Sequence, residues 1–384
     1  MKTNFKIVAA VLAVSALGLA GCSSSTSTET SAAPSAAAAT VAPAEENAEP
    51  STEAAAEGDA SPAPAALQAC EVTDVGGVDD KGFNQKAYKG VTDAANKLGV
   101  VAAVLESQAE TDYVPNIQSF VDQGCGIIVT VGFLLGDATK EAANANPTIP
   151  FSIVDYAYAE GDITANNVLG QVFNTDEAAY LAGYLAAGMS KTGKIGTFGG
   201  INIPPVTIFM DGYYRGAMAY NAANGAKVKV LGWDPAKQKG LFTENFESLD
   251  DGRSFAQNLV DEGADIVMPV AGPVGLGSAA LAKELGPDKL MIIGVDSDQF
   301  ESDAANQSVY LTSVLKNMDV TTFNAISSVL DGTFAGGVTV GTLANGGVGL
   351  APFHDMDASV PQALKDQIEA LRAGISDGSV DVKK

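Results

Sequence analysis

The sequence is poor in basic residues, and this scarcity limits the partners of the protein. Its 384 residues include 22 Lys and Arg against 46 Asp and Glu, which gives a formal net charge of −24. So acidic a chain repels phosphate-rich polymers and anionic lipid surfaces. We therefore expect no nucleic acid partner for the folded part of the chain.

Residues and motifs that carry catalysis are also scarce. The one histidine, His354, has no serine or cysteine partner in a recognisable catalytic arrangement. Gly-x-Ser-x-Gly, the Walker A motif and a dinucleotide-binding Gly-x-Gly-x-x-Gly are all missing. Three cysteines and scattered carboxylates give no metal-ligand spacing. The sequence thus predicts a protein that is not an enzyme and uses no cofactor or metal.

The first 21 residues have the pattern of an export signal. Lys2 and Lys6 precede an apolar run over Ile7–Leu17, which is too short for a comfortable membrane span. The residues Leu19–Cys22, Leu-Ala-Gly-Cys, resemble the bacterial lipobox. That resemblance implies cleavage before Cys22 and diacylation of its thiol, which would tether the protein to a membrane face. The alternative is an ordinary signal peptide, residues 1–21, followed by a chance cysteine.

Residues 22–67 are predicted to be a disordered linker. From Ser23 to Leu67 the chain is rich in Ser, Thr, Ala, Pro and Glu, without any aromatic residue, Lys or Arg. Such a segment cannot bury enough apolar surface to offset its ordering entropy. We expect it to act as a spacer between the lipid and the folded part; an acidic partner-binding tail is the alternative.

The remaining residues alternate between two kinds of pattern, and about 317 residues suit two domains. Apolar strand candidates occupy 70–75, 100–105, 126–131, 150–154, 194–198, 227–232, 265–270, 290–295 and 310–315. Helical spacing occupies 83–98, 112–123, 137–145, 175–190, 208–224, 251–262 and 275–285. Continuous Val and Ile runs separated by helices indicate parallel sheets that are covered on both faces. The predicted fold class is α/β.

Two of the three cysteines, Cys70 and Cys125, precede or begin strands of this pattern. The first and third strands of a doubly wound sheet are neighbours, so both cysteines should lie at the same sheet edge. Export would permit oxidation. We predict a disulfide between Cys70 and Cys125, with two buried free thiols as the alternative.

The two halves of the folded part repeat one pattern. The segment 120–132 matches 259–271 nearly residue by residue, and Ile153–Asp155 recurs as Gly294–Asp296. Two similar lobes would present the carboxyl ends of both sheets to one cleft. Phe83 would then face Phe209, and two facing rings can clamp a flat ligand. The alternative is that both rings only cap the cores of their lobes.

Several segments resemble one protein family. They are Asp74–Gln85 (DVGGVDDKGFNQ), Val131–Asp137, Ala178–Tyr184, Pro269–Gly275, Gly294–Gln299 and Ser313–Lys316. These motifs, in family order over about 240 residues, resemble the Bmp/Med family of bacterial lipoproteins. Its members are substrate-binding components of ABC importers, and the likeness is greatest to the branch related to the purine nucleoside receptor A.

The resemblance implies a type I periplasmic-binding-protein fold with two Rossmann-like lobes, a three-crossing hinge and a nucleoside ligand. By motif position it assigns ligand contacts to Asp74, Phe83, Asn84, Asp137, Phe209, Gly272, Asp296 and Lys316. Phe83 and Phe209 would stack on the base, and Asn84 and Asp137 would bond its edge. Gly272 would bring backbone close to the ligand, while Asp296 and Lys316 would bind the ribose hydroxyls.

Three of the polar assignments have a simpler alternative. Asp296 could be an exposed carboxylate at a strand end, Asp137 a helix N-cap, and Lys316 a surface lysine. Around residues 200–212 the sequence departs from the family pattern, so Met210 or Tyr213 could replace Phe209 as the second ring. Tyr156 and Tyr158 are further flat groups near the hinge.

The predicted protein is lipid-anchored at the extracytoplasmic face of the cell membrane and delivers nucleosides to an ABC transporter permease. Lobe 1 is expected to contain residues 68–173 and 299–334, and lobe 2 residues 174–298 and 335–384. The three crossings would lie near Gln171–Asn174, Asp296–Phe300 and Asp331–Thr339. The alternative is the same fold with a sugar or other small solute as ligand, acting in transport or as a sensor.

Overall fold

The structure is a computed structural model, and it describes residues 66–384. The predicted signal peptide, the lipidation site Cys22 and the linker up to residue 65 lie outside the described residues. From residue 66 onward, no helix is both long enough and apolar enough to cross a membrane.

Strands and helices alternate along most of the described chain. The strands are β1 (Gln68–Val72), β2 (Val101–Leu105), β3 (Ile127–Val131), β4 (Phe151–Val154), β5 (Val168–Phe173), β6 (Lys194–Gly199), β7 (Lys229–Leu231), β8 (Trp233–Asp234), β9 (Lys239–Gly240), β10 (Ile266–Val270), β11 (Met291–Asp296), β12 (Tyr310–Lys316), β13 (Gly337–Gly341) and β14 (Val348–Leu350). The helices are α1 (Phe83–Leu98), α2 (Tyr113–Gln123), α3 (Gly136–Ala145), α4 (Thr175–Met189), α5 (Pro204–Asn224), α6 (Leu249–Asp261), α7 (Val274–Leu285), α8 (Gln299–Ser302), α9 (Met318–Leu330) and α10 (Gln362–Ser376).

Lobe 1 is built on a parallel six-stranded sheet in the order β13-β5-β4-β3-β1-β2. Side chains of α1 pack with Ala69, Ile127 and Val129 in one apolar cluster, whereas those of α2 pack with Cys70 and Ile128 in another. Alternate residues of a strand point to opposite faces, so the sheet is covered on both sides.

Lobe 2 repeats this design with the strand order β14-β12-β11-β10-β6-β7. Its strands are parallel except for β14, which pairs antiparallel with β12 at the edge. Helices α6 and α7 cover one face, and α4 and α5 cover the other. The α/β class and the two parallel sheets are confirmed.

The chain crosses between the lobes at three places: Phe173–Thr175, Lys316–Met318 and Gly341–Val348. This corrects the expected boundaries. Strand β12 pairs with β11, so residues 299–316 belong to lobe 2 instead of lobe 1, and β13 pairs with β5, so residues 337–341 belong to lobe 1. The sheet that a strand joins depends on pairing between distant residues, and the local pattern does not contain that information.

Eight elements have no counterpart among the predicted ones: β5, β8, β9, β13, β14, α8, α9 and α10. Strand β5 carries a glycine and the buried Gln171 inside its apolar run, and Gln171 donates to Ser152 Oγ at 2.8 Å on the neighbouring strand. Helix α9 contains several β-branched residues, which are poor helix formers, and two serines, so its apolar residues do not mark a clear helical spacing. In β5 and α9 the apolar periodicity is thus interrupted by buried polar residues, whereas α10 has a plain helical spacing of Leu364, Ile368 and Ile375 that the predicted elements omit.

The predicted disulfide between Cys70 and Cys125 is present. Cys70 is paired with Ile128 across β1 and β3, and Cys125 precedes β3 by two residues. The neighbouring strand starts that the sequence pattern indicated are therefore the reason that the two thiols meet. The bond closes a loop with a sequence separation of 55 residues and lies near the amino ends of β1 and β3.

The centre of β1 contains a buried acid, Glu71. Its side chain is 0% exposed, and neither carboxyl oxygen has a hydrogen-bond partner in the described part of the chain. Burial, and to a smaller extent the charge of Asp80, raises the pKa of Glu71 well above its ordinary value. The folded protein therefore retains this proton at a pH where the unfolded chain has lost it.

Glu71 should make the protein less stable as the pH rises. Above the unfolded pKa near 4.5, the folded state binds more protons than the unfolded chain. The free energy of unfolding then falls with increasing pH, by at most about 1.4 kcal/mol per pH unit from this group. We expect Glu71→Gln to gain stability relative to wild type between pH 5 and pH 8, as measured by urea unfolding.

Glu262→Gln, at an exposed glutamate, is the control and should follow the wild-type pH dependence. If Glu71→Gln instead keeps a constant offset from wild type at every pH, Glu71 does not titrate differently in the two states.

Candidate functional site

A cleft between the lobes lies at the carboxyl ends of both sheets. It contains about 580 Å³ of space between protein atoms, part of which is open to solvent. Its lining residues from lobe 1 are Asp74, Val75, Asp80, Phe83, Asn84, Gly132, Phe133 and Asp155; those from lobe 2 are Ile203, Pro205, Val206, Phe209, Phe246, Val270, Ala271, Gly272, Pro273, Val295, Asp296 and Lys316. Apolar walls with a few polar groups are typical of small-molecule sites.

The loop between β1 and α1 holds Phe83 at the cleft. Asp80 accepts hydrogen bonds from the backbone N–H groups of Gly82, Asn84 and Gln85 at 2.8–3.0 Å. These amides lie at the start of α1, where no partner within the helix is available, so the Asp80 carboxylate caps the helix. Phe83 is the first residue of α1, and the cap therefore fixes its position. Asp80 thus shapes the loop.

The side chain of Asn84 ties the two ends of the same loop together. Its Oδ1 accepts from Asp74 N at 3.2 Å, and its Nδ2 donates to Val75 O at 3.1 Å and to Asp74 O at 3.4 Å. Both N–H donors of the amide are therefore engaged, which leaves only one lone pair of Oδ1 for another group. Asn84 lines the cleft, but in this structure the hydrogen bonds of its side chain hold the loop.

Asp74 presents a carboxylate to the cleft from the end of β1. Its Oδ1 accepts from the hydroxyl of Tyr113 and from Val75 N. Burial raises the pKa of Asp74 to about 6, although these two donors act in the opposite direction. Oδ2 lies where a Cβ on Gly132 would approach to 2.5 Å, so only glycine at position 132 leaves room for this carboxylate.

The second predicted ring, Phe209, lines the cleft from α5 and is 2% exposed. Its neighbours Met210 and Tyr213 are fully buried in the core and do not line the cleft, so of these candidates the structure places Phe209 at the site. Two further rings, Phe133 and Phe246, also line the cleft and were not predicted. Tyr156 packs against Phe133 at a centroid distance of 5.1 Å, behind the lining.

Lys316 lies between two carboxylates from different lobes. Its Nζ is 2.6 Å from Asp155 Oδ2 of lobe 1 and 3.5 Å from Asp296 Oδ1 of lobe 2. All three side chains are less than 10% exposed. Burial favours a lower pKa for Lys316, but the two carboxylates outweigh it and hold the pKa above its ordinary value. Lys316 is thus a buried ammonium and not a surface lysine.

The same ammonium contacts the aromatic rings of both lobes. Its Nζ lies 4.6 Å from the ring centroid of Phe83, 5.8 Å from Phe209 and 5.7 Å from Phe173. These distances fall within the range of cation–π attraction. Phe83, Phe209, Asp296 and Lys316, which were predicted from distant parts of the sequence, are therefore brought together at one point.

Asp137 and Gly272 have different positions with respect to the site. Gly272 lines the cleft with φ +54°, a backbone conformation that favours glycine. Asp137 lies in the first turn of α3 with its side chain 86% exposed, where it pairs with Lys140 at 3.2 Å. It does not line the cleft, because that turn points the side chain into solvent. The structure therefore does not support the predicted contact between Asp137 and a ligand.

Asp155 is the principal residue that the predicted set lacked. Burial raises its pKa, and the nearby Lys316 opposes this shift. The repeated segments Ile153–Asp155 and Gly294–Asp296 could have identified it, because they place an aspartate at the same point of each lobe. Within residues 66–384 no cluster of three or more His, Cys, Asp or Glu side chains is arranged to hold a metal ion.

Two lobes of parallel α/β structure, three chain crossings and a cleft between them define a substrate-binding protein of the type I periplasmic-binding fold. A solved solute-binding protein of an ABC transporter system from Aeropyrum pernix K1 is similar, with a TM-score of 0.73 and 25% identity over 82% of this chain and 92% of that one. A solute-binding protein from Conexibacter woesei DSM 14684 has the same fold at 22% identity, with a TM-score of 0.62, over 82% of this chain and 98% of that chain.

The chain belongs to the Bmp family, described as PnrA-like ABC transporter substrate-binding proteins, whose model matches residues 67–378. The ABC transporter nucleoside-binding protein BmpA of Lactococcus lactis subsp. cremoris is 32% identical over 82% of this chain and 89% of that protein. Basic membrane protein A1 of Borrelia garinii subsp. bavariensis is 32% identical over 78% and 83%. The protein is an ABC transporter substrate-binding protein and not an enzyme.

The capping role of Asp80 predicts that Asp80→Ala destabilises the protein. Three backbone N–H groups at the start of α1 lose their acceptor, and loss of a helix cap costs about 1–2 kcal/mol. The first turn, which carries Phe83, should loosen as well. We expect the free energy of unfolding to fall by this amount in a urea titration at pH 7.

The matched control is Asp79→Ala, one residue away. The Asp79 side chain is 83% exposed and contacts Lys81, so its loss should change stability by less than about 0.5 kcal/mol. Equal effects of the two substitutions would contradict the capping role of Asp80.

Proposed function

We propose that this protein captures nucleosides in the cleft between its lobes and delivers them to an ABC importer. The observation that carries the proposal is the pair of rings, Phe83 from lobe 1 and Phe209 from lobe 2, that line one cleft beside buried charged groups. A nucleoside has a flat base and a ribose with adjacent hydroxyls, and the cleft has groups suited to both parts. The relative named as a nucleoside-binding protein supports the same ligand.

The base would stack on the aromatic rings. Base–aromatic stacking contributes about 1–3 kcal/mol per base and tolerates any base, because every base has a π-face. Val206, Val270 and Phe246 extend the apolar wall from lobe 2, and exclusion of water there strengthens the polar contacts at its edge. Asp74 and the remaining lone pair of Asn84 Oδ1 would accept hydrogen bonds from the base edge.

The ribose would lie near Asp296 and Lys316. An ammonium has three N–H donors: one is hydrogen-bonded to Asp155, and Asp296, 3.5 Å from Nζ, is an ion-pair partner for a second. The third would donate to a ribose hydroxyl, while Asp296 would accept from an adjacent one. Gly272, which has no side chain, would allow backbone to approach the ligand closely.

The ligand assignment is tested by titration calorimetry with adenosine, guanosine, inosine, cytidine, uridine and ribose. We expect binding of at least one nucleoside and none of ribose alone. In Phe83→Ala the affinity for that nucleoside should fall tenfold or more, because loss of about 1.4 kcal/mol of stacking corresponds to a factor of ten.

The control is Phe323→Ala, a partly buried ring on α9 that does not line the cleft and lies beneath Lys97. Its affinity should match wild type. Binding of ribose without any nucleoside would overturn the ligand assignment in favour of a sugar-binding protein. An unchanged affinity in Phe83→Ala would show that this ring does not contact the ligand and only caps the core of its lobe.

We further propose that the protein is held at the extracytoplasmic face of the cell membrane by acyl chains on Cys22. The lipobox-like residues Leu19–Cys22 support this, and the linker that follows would let the folded part reach a permease. In a bacterium that processes lipoproteins, the full chain should sediment with membranes and Cys22→Ala should be soluble. Sedimentation of Cys22→Ala with the membranes would exclude a lipid anchor at this cysteine.

A further inference from the structure

Asp155 and Asp296 occupy the same place in the two lobes. Asp155 directly follows β4, Asp296 ends β11, and both have left-handed backbone conformation, with φ +66° and +67°. Non-glycine residues seldom adopt this conformation, and aspartate is one of the few that tolerate it. In both lobes the conformation directs a carboxylate at the same ammonium, that of Lys316.

The two contacts differ in what they join. Lys316 and Asp296 both belong to lobe 2, on the neighbouring strands β12 and β11, so their contact persists when the lobes move apart. The contact of Lys316 with Asp155 joins lobe 2 to lobe 1. Among the described residues it is the one ion pair that spans the two lobes, and it is the shorter of the two contacts of Lys316.

Two uncharged hydrogen bonds also join the lobes, on the α1 side of the cleft. Gln299 Nε2 donates to Lys81 O at 3.0 Å, and Ser297 Oγ donates to Gly82 O at 3.4 Å. Both involve the loop that carries Phe83. The ion pair is largely buried, with the Lys316 side chain 3% exposed and the Asp155 side chain 8% exposed, where charges interact more strongly than in water.

Opening of the hinge would separate Asp155 from Lys316 and admit water to both. A buried ion pair recovers little more than its desolvation penalty, whereas removal of one partner leaves an uncompensated charge. The pair is therefore suited to select one geometry of closure. In that geometry the ammonium is held over Phe83, with its Nζ 4.6 Å from the ring centroid.

We propose that Asp155 is a positioning residue of the binding site: its ion pair with Lys316 couples closure of the lobes to placement of the ammonium between the aromatic rings. The role in closure stands on the contacts within this chain. Only its effect on nucleoside affinity rests on the proposed function. Each substrate-free closed molecule would thus already have Lys316 in place for a ligand hydroxyl.

The test is the distance between the lobes, measured by electron spin resonance between nitroxides. The labels replace the exposed residues Glu141 on lobe 1 and Asp288 on lobe 2. Without added ligand, Asp155→Asn should shift the distance distribution of wild type and broaden it, since the amide keeps the shape but removes the charge. With nucleoside, its affinity should fall tenfold or more, chiefly through faster dissociation.

Asp93→Asn is the control, because it removes an aspartate that pairs with lysines at the surface of α1, Lys89 at 2.7 Å and Lys97 at 3.1 Å, without joining the lobes. Its distance distribution should equal that of wild type. If Asp155→Asn does not fold, Asp155→Ser provides a second variant without the charge.

The outcomes separate the two proposals. A distance distribution in Asp155→Asn equal to that of wild type would overturn the role of Asp155, whatever the ligand. Failure of wild type to bind any nucleoside would overturn the proposed function, while the distances measured without ligand would still decide the role of Asp155.

Discussion

The ammonium of Lys316 is the interaction on which the site depends. It lies at a single point where two carboxylates and three aromatic rings from both lobes converge. A buried ammonium needs compensating charge, and the fold supplies it twice, once from each lobe. The geometry of the cleft and the geometry of the hinge are therefore linked, because the compensation is complete only when the lobes face each other as they do here.

The repeated architecture explains how this convergence arises. Each lobe ends its strands at the cleft, and each places an aspartate in left-handed conformation there, Asp155 in one and Asp296 in the other. The two lobes differ in the other side chains that they contribute to the cleft. Lobe 1 supplies a capped helix start with Phe83, whereas lobe 2 supplies the lysine and the wall around Phe209.

Local sequence patterns and the family resemblance together predicted the fold class and much of the binding site. Phe83, Phe209, Asp296 and Lys316 were predicted, and the cleft brings them together. The sequence could not show that the Asn84 amide is engaged by backbone, since that depends on how the loop folds back on Asp74. The predicted ligand contact of Asp137 is not supported, because a motif position does not show which way the first turn of α3 faces. The repeated segments place Asp155 at the position that Asp296 has in the other lobe. Its pairing with Lys316 depends on how the two lobes face each other, and the sequence pattern does not contain that information.

The proposed function requires a ligand that binds between the two lobes against Phe83 and Phe209. A crystal structure of the protein grown with adenosine, guanosine or uridine would show whether a ligand binds there. We predict a base in contact with both rings and a ribose within hydrogen-bond distance of Asp296 and Lys316, with the Asp155–Lys316 pair intact. A nucleoside bound elsewhere, or a cleft in which these two rings contact only protein, would contradict the claim.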